Sequence, residues 1–428
     1  MKIYRLLCCA LGIVFVGCQD GGSPGEIHFS SDKSTVAYTF VKRIDLPLPP
    51  EMPTLYSTVY LKWCLMDQLD SCQSLKIDSY GKSYGSFVQG QFRLIFSPDS
   101  RRIAVNSPRH LEIVELGTRI RHRLTLAGES VFSMGWLGNK EIVYTVHLES
   151  MEKNGSYYRT RKIFRHRIDD SPEKRLLLYE QNDYKGLCHE FVSPTGEYVL
   201  FMSKGYNEGI FSLLDVQTGQ VTALTEKKAK LEGVSWKPDG NGVFCLSSNE
   251  ALLLYPKENR IIDLSSNYNS TFRCLLEYAP KIDPLWTPDG RFIVMNSSKT
   301  GGCLVRPDPW EVIPAGKNLV TYLEEEKRQV YFDQPNQYPW IFVQPFPGWV
   351  RVWIRLRTNE KPYLPGQTVV LSSQNYLVDY KGKRFFPMKP SDSPGGAWTM
   401  TPDGKNMVYF ERSIFLKINP IYLSEHVQ

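Results

Sequence analysis

A short proline-centred turn returns along this chain, and it limits the fold more than any other feature. It reads Phe96-Ser97-Pro98-Asp99-Ser100, Val192-Ser193-Pro194-Thr195-Gly196, Trp236-Lys237-Pro238-Asp239-Gly240, Trp286-Thr287-Pro288-Asp289-Gly290 and Met400-Thr401-Pro402-Asp403-Gly404. Proline presets φ at the first central turn position, Asp tolerates the next, and Gly supplies positive φ. Each copy is followed by an apolar strand, such as Phe292-Ile293-Val294-Met295, so each predicts a tight hairpin. Two more short strands follow, as in Ala251–Tyr255 and Arg260–Leu264. Four antiparallel strands in roughly forty residues, repeated, are the signature of propeller blades.

Weaker copies stand at Phe29–Lys33 and Trp136–Lys140, and two degenerate ones divide the gap from Trp286 to Met400: Leu323–Lys327 and Leu364–Gln367. That makes nine strand groups, with terminal strands available to share a blade. The expectation is an all-β chain forming a single β-propeller of four-stranded antiparallel blades, eight of them give or take one. An aromatic content of 13% agrees, since aromatic side chains pack well on pleated surfaces.

The Pro-Asp-Gly hairpins resemble the Pro-Asp type of WD-like propeller repeats, found in TolB-like periplasmic proteins and in the propellers of dipeptidyl-peptidase relatives. The resemblance covers nearly all of residues 26–425. It implies a fold and no activity, because the matched residues build turns and blade cores.

Residues 1–17 read as an export signal. Lys2 and Arg5 carry positive charge, and Leu6–Gly17 is apolar but too short to span a bilayer. Phe15-Val16-Gly17-Cys18 resembles the lipobox of bacterial lipoproteins, with Phe where Leu is usual. That resemblance implies cleavage before Cys18, acylation of its thiol and a membrane anchor; Gln19 after it implies the outer membrane. Residues 18–25 then read as a lipidated start and tether, and 26–425 as the propeller. A formal net charge of +6 over 428 residues is modest and does not by itself imply nucleic acid.

Catalytic chemistry is thin in the sequence. Gly81-Lys82-Ser83-Tyr84-Gly85 matches Gly-x-Ser-x-Gly, but Phe87–Phe96 reads as a strand where a nucleophile elbow needs a helix. No His pair stands at a metal-ligand spacing, and no Cys-x-x-Cys occurs. No catalytic residue, metal or cofactor is therefore assigned. His110, His122 and His166 lie among arginines and read as solvated, as does the basic run Arg159–Lys162 with Arg165 and Arg167. Export permits disulfides, and Cys64 and Cys72 flank a turn, so one bond is expected there. Trp349, Arg351, Trp353 and Arg355 alternate with Val350, Val352 and Ile354, which puts indoles and guanidiniums on one strand face. Such a face would stack on sugars or grip anions; the other reading is an outer strand whose arginine stems cover the tryptophans. Three functions remain open: an envelope module that binds a protein or other ligand, an envelope lyase or hydrolase assembled from loops, and a glycan receptor.

Overall fold

The computed structural model describes residues 22–45, 55–80, 92–151, 157–184, 190–203, 209–225, 231–247, 250–272, 284–295, 302–326, 342–357, 371–388, 398–411 and 415–420. They form eight antiparallel sheets, at 22–80, 93–123, 130–184, 190–223, 231–263, 285–313, 342–388 and 398–420. These are blades 1 to 8 of a β-propeller. Blades 1 to 7 have four strands, and blade 8 has three among the described residues. Within every sheet the strands lie in chain order, so each blade is a simple meander. The first strands of neighbouring blades approach one another: Gly22–Phe29 lies beside both Arg93–Phe96 and Trp398–Met400, and Leu285–Trp286 beside both Leu231–Trp236 and Phe342–Phe346. First strands therefore surround the axis. The ring closes where Val408 of blade 8 packs among Val36, Tyr38 and Phe40 of blade 1.

The hairpins hold a device beyond the proline and glycine. In blades 1, 2, 4, 6 and 8 the second residue of the motif is a buried Ser or Thr (Ser30, Ser97, Ser193, Thr287 and Thr401), where blade 5 has Lys237, and its hydroxyl does two tasks. It donates to the Asp carboxylate two residues on, at 2.6 Å for Ser30–Asp32, Ser97–Asp99 and Thr287–Asp289. It also accepts a backbone N–H five residues on, from Thr35, Arg102, Tyr198, Phe292 and Asn406 in their blades. The carboxylate in turn accepts the N–H two residues later, as Asn241 gives Asp239 at 2.9 Å and Lys405 gives Asp403 at 3.0 Å. These bonds favour the charged carboxylate. The Ser30 hydroxyl and the Ser34 N–H hold Asp32 down at about 2, from 3.8. The Thr401 hydroxyl and the Lys405 N–H lower Asp403 in the same way. A depressed carboxylate stabilises the fold above its unfolded pKa, and the gain fades as pH falls through the folded value. Thermal melts of wild type and Asp32→Asn should therefore differ at neutral pH and converge between pH 3.8 and about 2. A gap that widens on acidification would reverse this sign.

The aromatic residue ahead of the turn locks one blade to the one before it. Trp136 Nε1–H donates to the Ile95 carbonyl at 3.2 Å, Trp236 to Phe191 at 3.0 Å and Trp286 to Ser235 at 2.8 Å. In each case the acceptor is the residue just before the equivalent position of the preceding blade. Blades 3 and 4, where Val192 takes the aromatic position, are joined instead by a close approach. A Cβ added at Gly135 would stand 2.3 Å from the Ser193 carbonyl oxygen, so only glycine fits there.

Two sequence expectations need correction. Leu323 opens no turn; it lies in the helix Ala315–Glu325, which buries Ala315, Leu319, Val320 and Leu323 against Val350, Val352 and Tyr376, and the strand expected at 329–332 lies outside the described residues. Those positions share one helical face, a 3.6-residue period that outweighs the apparent turn. The second degenerate copy, Leu364–Gln367, lies outside the described residues, and Leu371 begins the third strand of blade 7. That blade takes its first turn at Pro347-Gly348, with Gly348 at φ +77°. Nine strand groups thus reduce to eight blades. The first strand of blade 1 begins before residue 26, since Gly22 pairs with Lys42 and Pro24 with Phe40. The strand is at a sheet edge, where proline is tolerated. Among the described residues no helix is long and apolar enough to cross a membrane.

Candidate functional site

Two places in the ring combine concavity or buried charge with polar side chains. The first is a cleft of about 650 Å³ between blades 1 and 2, bounded by Trp63, Cys64, Gln68, Ser71, Arg102 and Glu115. Its blade 1 wall is the hairpin linking Leu55–Leu65 to Gln73–Tyr80, closed by a bond between Cys64 and Cys72, whose Cα atoms are 4.4 Å apart. Its blade 2 wall is held by ions. Arg102 Nε lies 3.3 Å from Glu115 Oε1, and the Thr118 hydroxyl donates to Glu115 Oε2 at 2.8 Å. The Thr118 bond, reinforced by Arg102, lowers the Glu115 pKa against the desolvation that opposes it. The Arg119 guanidinium donates across the cleft to Gln73. This volume is in the range of about 300–1,000 Å³ typical of small-molecule sites.

The second place is the seam between blades 3 and 4, at the end of the strands away from the Pro-Asp hairpins. His147 and Arg161 are direct cross-strand neighbours in blade 3, so their side chains share the face turned to blade 4. Glu190, first residue of the first strand of blade 4, meets both. His147 Nε2 is 2.7 Å from Glu190 Oε2, and Arg161 Nε is 2.5 Å from Glu190 Oε1. The three residues are only 3%, 2% and 5% exposed in the order His147, Arg161, Glu190, so this is a dry ionic cluster. Arg161 Nη1 also donates to the Met202 carbonyl at 2.7 Å. The register of the first strand of blade 3 shifts between Thr145 and Val146, leaving Phe132 as an extra residue opposite them. A bulge of this kind re-aims a side chain. Here it stacks the Phe132 ring on the His147 imidazole, with centroids 3.8 Å apart.

The Trp/Arg strand does not offer the face expected of it. Trp349 is 7% exposed and packs edge-on against Phe386, in a cluster with Met400 and Met407 of blade 8. Val350 and Val352, on the other face, pack toward blade 6. In a closed ring an inner strand is covered on both faces by neighbouring blades, so alternation with arginine does not mark solvent. Arg351 is half-buried, and desolvation lowers its pKa. Trp353 and Arg355 continue the same strand, Trp349–Arg357, opposite Asn375 and Ser373; their side chains lie outside the described residues.

The histidines and the basic run also change places. His166 is buried rather than solvated, beside the Tyr144 hydroxyl at 3.4 Å, and desolvation lowers its pKa. His110 and His122 are half-buried near Glu112 and Glu115. In the basic run Arg161 points inward, while Lys162 pairs with Glu180 and Arg165 with Glu141. The strand period splits the run between two faces, so Arg161, Lys162 and Arg165 meet carboxylates while Arg167 stays exposed; the side chain of Arg159 lies outside the described residues. Cys18, Ser83 with its Gly-x-Ser-x-Gly neighbours, Cys188 and Cys274 lie outside the described residues. Cys245 is a buried free thiol that burial pushes up, and Cys303 is buried with its thiol donating to the Met295 carbonyl. Among the described residues no three His, Cys, Asp or Glu side chains converge as a metal site. Sequence reading missed His147 and Glu190 because 43 residues separate them and neither belongs to a motif.

Among solved structures the chain is similar to an oligogalacturonate lyase in complex with manganese, at 11% identity and a TM-score of 0.47, covering 93% of this chain and 89% of that one. It is also similar to the acylaminoacyl peptidase of Pyrococcus horikoshii, at 10% identity and a TM-score of 0.44, covering 87% of this chain and 53% of the peptidase. No family model and no curated protein matches the chain.

Proposed function

We propose that this protein is a binding module of the cell envelope: a propeller anchored by acylated Cys18 that recognises an envelope protein or glycan through the cleft between blades 1 and 2. The anchor rests on the sequence Phe15-Val16-Gly17-Cys18 and the charged, apolar stretch before it. Two or three acyl chains hold a soluble domain firmly, at about 0.8 kcal/mol per buried methylene. The observation that carries the binding reading is the 650 Å³ cleft with both walls fixed, one covalently and one by the Arg102–Glu115 pair. A site braced before its ligand arrives loses less entropy on binding.

Labelled palmitate should enter the wild type and not Cys18→Ser, and the variant should leave the membrane fraction. Incorporation into neither, with both in the soluble fraction, rejects the anchor. For the cleft, a photoreactive residue replacing Gln68 should crosslink a discrete species in intact envelopes. The same residue replacing Val221, on the exposed outer strand of blade 4, should not. Equal labelling from both positions, or none from Gln68, rejects the cleft as the recognition site.

A further inference from the structure

His147 has a nitrogen that the blade 3–blade 4 seam does not use. Nε2 sits 2.7 Å from a Glu190 carboxylate oxygen and must carry the proton that joins them. In the neutral ring Nδ1 is then a bare acceptor. It is shut off from solvent and has no hydrogen-bond partner. A buried acceptor left unpaired is costly, and native structures rarely keep one without a use. Its orientation is fixed by the Glu190 bond, and the Phe132 ring lies over it. Phe132 is a large apolar side chain left 42% exposed on a first strand that buries Val131 and Trp136. Its main chain is held apart from the ring, the carbonyl accepting from Arg93 Nη1 at 3.0 Å. Ser130, also exposed, stands directly opposite His147 in the same ladder, on the same sheet face.

We propose that Phe132, His147 and Ser130 form a second binding subsite, distinct from the blade 1–2 cleft, that takes a pyranose ring. The ligand donates one hydroxyl to His147 Nδ1 while its C–H face rests on the Phe132 ring. That ring turns aside about its side-chain bonds to uncover the nitrogen. The chemistry of the pocket narrows the class. A carboxylate or phosphate would set lone pairs against the Nδ1 lone pair. A cation would meet the Arg161 guanidinium, whose balancing carboxylate is already engaged. What remains is a neutral donor with an apolar face, and a pyranose has both. Ser130 adds a hydroxyl able to donate or accept at the open side.

The test uses the full mature chain with ¹⁵N-labelled histidine and three probes: methyl β-galactopyranoside, methyl α-glucopyranoside and N-acetylglucosamine. At least one should show saturation transfer from the protein and move the His147 Nδ1 resonance from that of a free acceptor toward that of a hydrogen-bonded one. His147→Gln keeps a donor for Glu190 but has no Nδ1, so it should stay folded and lose the transfer. Phe132→Ala should weaken binding at least tenfold, and Phe132→Trp should retain it. No transfer from any of the three sugars overturns the proposal, as does transfer that persists unchanged in both His147→Gln and Phe132→Ala. Crosslinking from Gln68 reads the other cleft, so the two sites stand or fall separately.

Discussion

Trp286→Ala should remove about 3–5 kcal/mol of stability, the usual cost of emptying a large aromatic site in a core. That is a large share of the roughly 5–15 kcal/mol by which a folded domain is typically stable. The loss has two parts. The indole is 7% exposed and packs with Phe244, Leu253 and Ile293, so truncation leaves a cavity between blades 5 and 6. Its N–H also leaves the Ser235 carbonyl without a partner at 2.8 Å. Trp286→Phe separates the two parts. It keeps most of the packing and drops the hydrogen bond, so it should cost about 1–3 kcal/mol, the penalty for one orphaned buried group. Urea titration reads both variants as shifts in midpoint at unchanged slope. If the alanine variant unfolds at the wild-type midpoint, the tryptophan is not the lock between blades that its bond to Ser235 makes it.

The repeat was legible because its turns are local. Pro-Asp-Gly fixes a hairpin through the backbone preferences of adjacent residues, so Trp286–Gly290 announces its blade without help from the rest of the chain. Blade 7 was harder to read, since its turn at Pro347-Gly348 lacks the Asp and a helix stands ahead of it. The face of a strand was not legible at all. Alternation tells which residues share a side, and in a sheet with one wet face that also tells which side is buried. A propeller covers both faces of its inner strands, so Trp349 beside Arg351 packs as deeply as Val350 does. The same geometry hid Arg161 within a basic run and His166 among arginines. The candidate sites at the seams arise between blades, where contacts join residues whose spacing along the chain carries no signal. The cleft brings Gln68 to Glu115, and the ionic cluster brings His147 to Glu190.

Glu190→Ala should be as damaging as the loss of the tryptophan, for a different reason. The carboxylate stands against both Arg161 and His147, and all three are nearly dry. Removing it breaks a nearly buried ion pair, and deleting one partner of such a pair typically costs about 3–5 kcal/mol. The same reasoning makes the pair weak evidence of net stabilisation, because bringing both charges out of water had its own cost. Replacing both partners by apolar side chains of similar volume, as in Arg161→Met with Glu190→Leu, should therefore recover most of the loss. In such exchanges the apolar set is often neutral or better by about 1–4 kcal/mol. The two single variants and the double variant form a cycle whose coupling term should be large and favourable to the double variant. Melting of all four proteins at one pH and salt concentration gives that term. Additive losses would mean that Arg161 and Glu190 act independently. A double variant that melts near wild type would instead show that the ion pair contributes little net stability, leaving the Glu190–His147 contact and the unused Nδ1 as the reason for charge at this seam.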